Sequence, residues 1–220
     1  QQVYGRIFTV SGVITMFRKS ALADVGYWSS DMLTEDIDIS WKLQTRDWRV
    51  AYEPHALSWI LMPETLKGLY RQRLRWAKGG IQVLMKYAPQ IARPSMLMMW
   101  PLFIEYLLGI AWAYSMSFVM LLGLLGLMVP LPSEWHISLL PHWHGMLLVA
   151  TCVLQLVIGC MIDRQYDEKL LFYFMDTVWY PLAFWVINMI TTVVALPSIV
   201  LRRRGKRAVW TSPDRGIQHE

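Results

Sequence analysis

Between Pro94 and Asp163 the chain has no lysine or arginine, although 13 of its 21 basic residues lie before Pro94. A stretch that long without a cation cannot belong to an ordinary solvated surface. It divides the chain into a polar part, residues 1–93, an apolar part, residues 94–201, and a basic polar tail, residues 202–220. With 55% of its 220 residues hydrophobic, the whole is too apolar for a typical soluble domain and reads as a membrane protein with a polar part.

The apolar part resolves into about three runs. Met96–Val129 is broken only by Glu105, Gly145–Ile162 is uninterrupted, and Leu170–Leu201 contains Asp176, Pro181 and Asn188. A helix crosses a bilayer in ~20 residues. The first and third runs exceed that, so part of each is expected to tilt or to lie along the interface. Pro130-Leu131-Pro132 marks the first turn, and the loop that follows has no basic residue. That places the loop outside and residues 1–93 in the cytoplasm. Three crossings would then leave Arg202-Arg203-Arg204-Gly205-Lys206-Arg207 outside, against the positive-inside tendency. An even number would satisfy the charges but needs an interfacial segment, so the sequence leaves the parity open.

Other features carry less. The net charge of +5 comes from clusters beside apolar runs, which mark cytoplasmic flanks at anionic lipid rather than a nucleic-acid surface. Cys152 and Cys160 lie in an apolar run and read as packing residues. His142-Trp143-His144 lacks a third ligand and reads as loop, not metal site. Glu105 and Asp176, inside apolar runs, read equally as functional groups or as buried hydrogen-bonding partners. The opening Gln1-Gln2-Val3-Tyr4 has no initiator methionine, and the chain is expected to be the C-terminal part of a longer protein.

In the polar part, Phe8–Phe17 is rich in β-branched residues and interrupted by Ser11-Gly12, predicting a strand that enters a close-approach loop. Ser20–Val25 predicts a short helix stopped by Gly26. Thr34 is placed to cap a helix running to about Thr45, with Glu35, Asp36 and Asp38 in its first turn, where the dipole favours anions. Arg49–Glu53 predicts a short strand, and a second helix is expected from about Glu64 to Lys86. That helix carries Lys67, Arg71, Arg73, Arg75, Lys78 and Lys86, so it is not buried all round. Alternating helix and strand predict an α/β layer, too short here for a complete core of its own.

Two groups of residues carry chemistry. Asp36 is a single carboxylate at a helix start, which suffices for a general base. Asp36-Ile37-Asp38 has the form of a metal-binding pair, but on a helix two residues apart point about 200° from each other, so one ion cannot readily take both. In Gln72-Arg73-Leu74-Arg75-Trp76, the residues Gln72, Arg75 and Trp76 share a face at i, i+3, i+4. Guanidinium forks suit diphosphate oxygens, and an indole suits the apolar face of a sugar. The plainer reading is a basic helix lying on anionic lipid. Gly79-Gly80 leaves room for close approach or a break.

Together, Thr34-Glu35-Asp36 and Gln72-Arg73-Leu74-Arg75-Trp76 ahead of apolar spans resemble the family 2 processive glycosyltransferases, the cellulose, chitin and hyaluronan synthases and their relatives. The stretches VSGVITMFRKSAL, DMLTEDIDISWKLQ, ILMPETLKGLYRQRLRWAKGG and WTSPDRG look most like the bacterial branch that joins N-acetylglucosamine through β-1,6 links into a biofilm exopolysaccharide. The resemblance implies the C-terminal half of a GT-A domain in residues 1–93, with an interfacial helix, followed by transmembrane helices in a bacterial inner membrane. It implies that Asp36, with Glu35 beside it, carries catalysis. Asp36 would take the proton of the acceptor's 6-hydroxyl as that oxygen attacks UDP-N-acetylglucosamine with inversion. It assigns Gln72, Arg73 and Arg75 to the diphosphate, Trp76 to the acceptor sugar, and Ser11, Gly12 and Thr34 to the surrounding substrate site. It also implies Mg²⁺ or Mn²⁺ with ligands upstream of this chain, a growing polysaccharide acceptor, a small membrane partner subunit and a response to cyclic di-GMP. The family's upstream uridine-binding aspartate and metal-binding Asp-x-Asp have no match here, so these residues alone are expected to be inactive. Two alternatives remain: a hyaluronan-, chitin- or cellulose-type synthase using another UDP-sugar, and a non-catalytic membrane subunit that binds a partner or nucleotide.

Overall fold

The structure is a computed structural model that describes residues 6–53, 55–130, 132, 143–170, 172–201 and 208–209. The basic cluster 202–207, most of the 202–220 tail with its WTSPDRG stretch, Leu131, and the side chains of His142, Trp143 and His144 lie outside the described residues. The helices are α1 (Lys19–Val25), α2 (Glu35–Gln44), α3 (Leu66–Ile91), α4 (Trp100–Met128), α5 (Trp143–Asp163), α6 (Phe174–Thr177) and α7 (Tyr180–Val200). A 3₁₀ segment, Pro94–Met99, joins α3 to α4. The chain divides into two compact units. One comprises 1–112 with 191–220, and the other comprises 113–190.

The expected strands at Phe8–Phe17 and Arg49–Glu53 are not formed; among the described residues the chain has helices and irregular segments but no strand. The reason is visible at the first of them. Its extended backbone is paired to side chains of α2 instead of to a neighbouring strand. Gln44 accepts the Ile7 N–H at 2.9 Å and donates to the Ile7 carbonyl at 2.7 Å. Ser40 Oγ accepts the Val10 N–H at 2.8 Å, and Trp41 Nε1 donates to the Phe8 carbonyl at 2.9 Å. These bonds satisfy polar backbone that a sheet ladder would otherwise take.

The helices follow their local chemistry. α1 ends at Gly26, whose φ of 74° is the left-handed conformation that a glycine adopts freely. α2 begins at Glu35 behind Thr34, and its acidic first turn is complete, but the Thr34 side chain makes no capping bond. The Ile37 N–H is taken instead by Asp36 Oδ1 at 2.9 Å. α3 has the side-chain cap that α2 lacks, with Thr65 Oγ1 accepting the Gly68 N–H at 3.0 Å. α3 runs past Lys86 to Ile91, despite Pro89, because Tyr87 and Ile91 continue its buried face beyond Val83 and Leu84. Trp100 Nε1 then donates to the otherwise orphaned Ile91 carbonyl at 2.7 Å.

In the first unit the core lies between α2, α3 and the start of α4. Ile37 and Trp41 meet Val83, Leu84, Tyr87, Ile91, Met99 and Leu102. Phe8 closes this cluster, stacked on Tyr106 with ring centroids 5.2 Å apart. A second cluster joins Ile39 and Leu43 of α2 to Ala21 of α1. A third sets Ile81 of α3 against Ala195 and Ile199 of α7. α2 is therefore gripped on several sides, which fixes the position of Asp36. Among the described residues, three helical stretches are long and apolar enough to cross a membrane: Pro94–Met128, Gly145–Asp163 and Phe174–Val200. The third of these is broken between α6 and α7, and Asp176 is exposed on α6.

Candidate active site

Asp36 sits in the first turn of α2, half-buried. The Ser11-Gly12 turn lies directly against it. A Cβ on Gly12 would come within 3.3 Å of Asp36 Oδ2, so only a residue without a side chain leaves the carboxylate its present space. The turn is shaped by Ser11, whose Oγ accepts the N–H groups of Val13 and Ile14, each at 3.3 Å. Burial pushes the Asp36 carboxyl above its ordinary range. The Ile37 N–H pulls it down, the neighbouring Glu35 pushes it up, and the Arg75 guanidinium pulls it down. Glu35 itself is exposed and acts on Asp36 only through its charge.

The α3 motif approaches the same turn from the other side of the chain. Arg75 donates to the Leu33 carbonyl at 3.1 Å, just ahead of Thr34, and Gln82 accepts the Leu33 N–H at 3.2 Å. Gly79 explains how close the helices come. A Cβ there would overlap the side chain of Thr34, and one at Gly80 would overlap Tyr106. The expected close approach at Gly79-Gly80 is what the fold uses. Gln72 is buried, and its Oε1 has no partner among the described residues; Thr34 Oγ1 is in the same condition. A buried amide oxygen and hydroxyl without partners are groups ready for a ligand or water. Arg73 lies over the exposed ring of Trp76, its guanidinium carbon 4.3 Å from the ring centroid. The i, i+3, i+4 grouping thus gains Arg73 as the cation stacked on the indole.

The sequence reading missed a polar knot beneath this site. Asp38 is fully buried, and its carboxylate accepts from Lys86 Nζ at 2.6 Å, Ser29 Oγ at 2.7 Å and Tyr87 Oη at 3.0 Å. Burial and the Asp38 charge both push the Tyr87 hydroxyl well above its usual range, so it stays a neutral donor. Asp36 and Asp38 thus face different partners, as their helical offset requires. Among the described residues no three His, Cys, Asp or Glu side chains form a cluster fit to hold a metal. No local pattern announces the knot, because Asp38 and Lys86 lie 48 residues apart in sequence.

A half-buried carboxylate with an upward-shifted proton affinity, a glycine turn that leaves it open, and a nearby guanidinium can accept a proton beside an anionic leaving group. Comparison with known proteins places the chain in a family. A family model described as "Glycosyl transferase family group 2" matches residues 1–210. A poly-beta-1,6-N-acetyl-D-glucosamine synthase of Staphylococcus epidermidis is 38% identical over 98% of this chain, which covers 53% of that relative. One from Staphylococcus aureus (strain COL) is 37% identical, again over 98% of this chain and 53% of the relative. The chain therefore spans about half the length of the curated relatives it matches. No solved structure matches it significantly.

Proposed function

The chain belongs to the glycosyl transferase family group 2, and on that premise we propose that it is part of a processive, inverting N-acetylglucosaminyltransferase that builds β-1,6-linked poly-N-acetylglucosamine. The observation that carries the reading is the meeting of Asp36, the Ser11-Gly12 turn and Arg75 at one place in the fold. The names of the relatives support the choice of sugar and linkage.

In this reading Asp36 accepts the proton of the acceptor's 6-hydroxyl. The freed oxygen forms a bond to the anomeric carbon of UDP-N-acetylglucosamine, the bond from that carbon to the diphosphate breaks, and UDP leaves with the electron pair. Configuration inverts because attack and departure are in line. Gln72, Arg73 and Arg75 hold the diphosphate, Arg75 also lowering the cost of an ionised Asp36. Trp76 supports the terminal acceptor sugar, and Ser11, Gly12 and Thr34 line its approach. Residues 1–93 form the C-terminal part of a GT-A domain on the cytoplasmic side. The three apolar stretches cross a bacterial inner membrane and guide the polymer outward. Mg²⁺ or Mn²⁺, which family 2 enzymes commonly use, finds no fitting cluster among the described residues, and its ligands are assigned to the remainder of the protein. A small membrane partner subunit and cyclic di-GMP complete the proposal.

The test uses the protein carrying this chain in membranes, with its partner, cyclic di-GMP, Mg²⁺ and labelled UDP-N-acetylglucosamine. Polymer from wild type and none from Asp36→Asn is the expected result. Polymer only from another UDP-sugar would transfer the reading to a different synthase of the family.

A further inference from the structure

A cavity of about 350 Å³ opens between α2 and α3, lined by Lys42 of α2, Arg46 in the turn after it, Lys86 and Gln90 near the end of α3, and Arg93 and Met96 just beyond. The spacing explains the lining. Lys86 and Gln90 are i, i+4 on α3, while Arg46 and Arg93 sit in the turns that follow the two helices. No carboxylate is part of the lining. Asp38, beneath it, is already bound to Lys86, Ser29 and Tyr87. Lys42 donates to the Tyr27 carbonyl at 2.8 Å. Burial holds its ammonium below the ordinary range, against the pull of Asp38, while the Lys86 charge lowers it further and Asp31 opposes. Arg46 and Arg93 have no ion pair with any described residue.

Lys86 is compensated by Asp38, but Lys42, Arg46 and Arg93 have no ion pair among the described residues, and an anion between them offsets their mutual repulsion. Guanidinium forks on two sides fit phosphate oxygens. Part of the lining has a different character. Met96 lines the cavity, Leu97 and Met98 beside it are exposed, and the apolar helix α4 departs at Trp100. A ligand with a phosphate at one end and hydrocarbon at the other uses both parts, whereas a free nucleotide leaves the apolar one unused. We infer that this cavity binds the phosphate headgroup of an anionic phospholipid, fixing the α2–α3 pair to the membrane where the first apolar helix begins. The inference rests on the proposal that α4 crosses a bilayer, but not on the transferase chemistry.

The protein carrying this chain is placed in nanodiscs of phosphatidylcholine alone, or with added phosphatidylglycerol, and the lipid retained after detergent extraction is weighed by native mass spectrometry. Wild type is expected to retain phosphatidylglycerol in preference to phosphatidylcholine. Arg46→Gln with Arg93→Gln is expected to lower that preference about tenfold, as two cations near an anionic headgroup should. The control, Lys19→Gln with Arg49→Gln, removes the same charge from exposed positions outside the cavity and should leave the preference intact. Thermal unfolding of both double variants confirms that they are folded. Equal preference in wild type and the cavity variant overturns the inference. So does displacement of the lipid by millimolar inorganic phosphate, which would make this a site for a soluble anion. Failure to enter neutral nanodiscs overturns the membrane reading together with this one, whereas incorporation without any lipid preference overturns this one alone.

Discussion

Lys86 Nζ lies 2.6 Å from Asp38 Oδ1, tying the helix that bears Asp36 to the helix that bears Gln72, Arg73, Arg75 and Trp76. The two ends of this bond differ in solvation. The Asp38 side chain is 1% exposed and that of Lys86 is 32% exposed. Lys86→Met leaves a buried carboxylate facing only the neutral donors Ser29 and Tyr87, and should cost about 3–5 kcal/mol of stability. Asp38→Asn keeps an acceptor for Tyr87 and lets Lys86 return to water, and should cost about 1–2 kcal/mol. Thermal unfolding in lipid–detergent micelles compares the two. A larger loss for Asp38→Asn would mean that hydrogen bonding, not the buried charge, holds the helices together.

The upward shift of Asp36 links activity and stability in opposite senses. A base must be ionised, so turnover should fall as pH drops through the raised value, above the usual carboxylate range. Asp36→Asn should reduce turnover by about 10²–10⁴-fold, with UDP affinity retained. For stability, a carboxyl whose proton affinity is higher in the folded state contributes stability that is fully present below its unfolded value. That contribution is lost as pH rises through the folded value. At neutral pH, Asp36→Asn is therefore expected to melt higher than wild type, and the advantage should shrink as pH falls toward 3.8, the unperturbed value. An inactive variant with unchanged neutral-pH stability would remove burial as the source of the shift.

Gly79 and Gly80 should respond differently to the same substitution. A methyl at Gly79 meets Oγ1, Cγ2 and Cβ of Thr34, close to the backbone that leads into α2. A methyl at Gly80 meets the hydroxyl end of Tyr106. Gly79→Ala should therefore cost about 1–3 kcal/mol and displace Asp36 from the α3 motif, reducing turnover as well. Gly80→Ala should be milder and leave turnover nearly unchanged. Thr34→Ala, in the Gly79→Ala background, should restore part of the melting temperature. No restoration would place the conflict elsewhere in the helix pair.

The sequence announced the helices and their chemistry better than the pairings between them. Gly26 and the acidic turn at Glu35-Asp36 are local chemistry and stand where their residue types predict, whereas Thr34, expected to cap α2, makes no capping bond, and the cap that forms is Thr65 on α3. The glycine pair also spoke clearly, because two adjacent small residues on a basic helix leave space for a neighbour. The segment at Phe8–Phe17 shows where local reading stops. Its β-branched residues do favour extended backbone, yet whether such a segment becomes a strand depends on which partner meets its N–H groups. Here Ser40 meets the Val10 N–H, and Gln44 meets that of Ile7 just ahead of the segment. Asp38 shows the same limit. Helical geometry separated it from Asp36, but its ion-pair partner on α3 had no local signature.

Trp76 and Arg73 should separate acceptor use from donor binding. The indole is 40% exposed, so its ring is open to a sugar, yet the Arg73 guanidinium already lies over it at 4.3 Å. Removing the ring therefore does two things: it takes away the surface beneath the acceptor, and it frees an arginine assigned to the diphosphate. Trp76→Phe keeps a flat ring and should raise the acceptor KM only slightly. Trp76→Ala should raise it about tenfold, the equivalent of ~1.4 kcal/mol of lost stacking. If the ring serves the acceptor, UDP affinity measured by calorimetry should change by less than about threefold in Trp76→Ala, because the charge of Arg73 remains. If UDP affinity falls as far as acceptor use, Trp76 is a platform for Arg73, and the sugar-stacking role belongs to another ring.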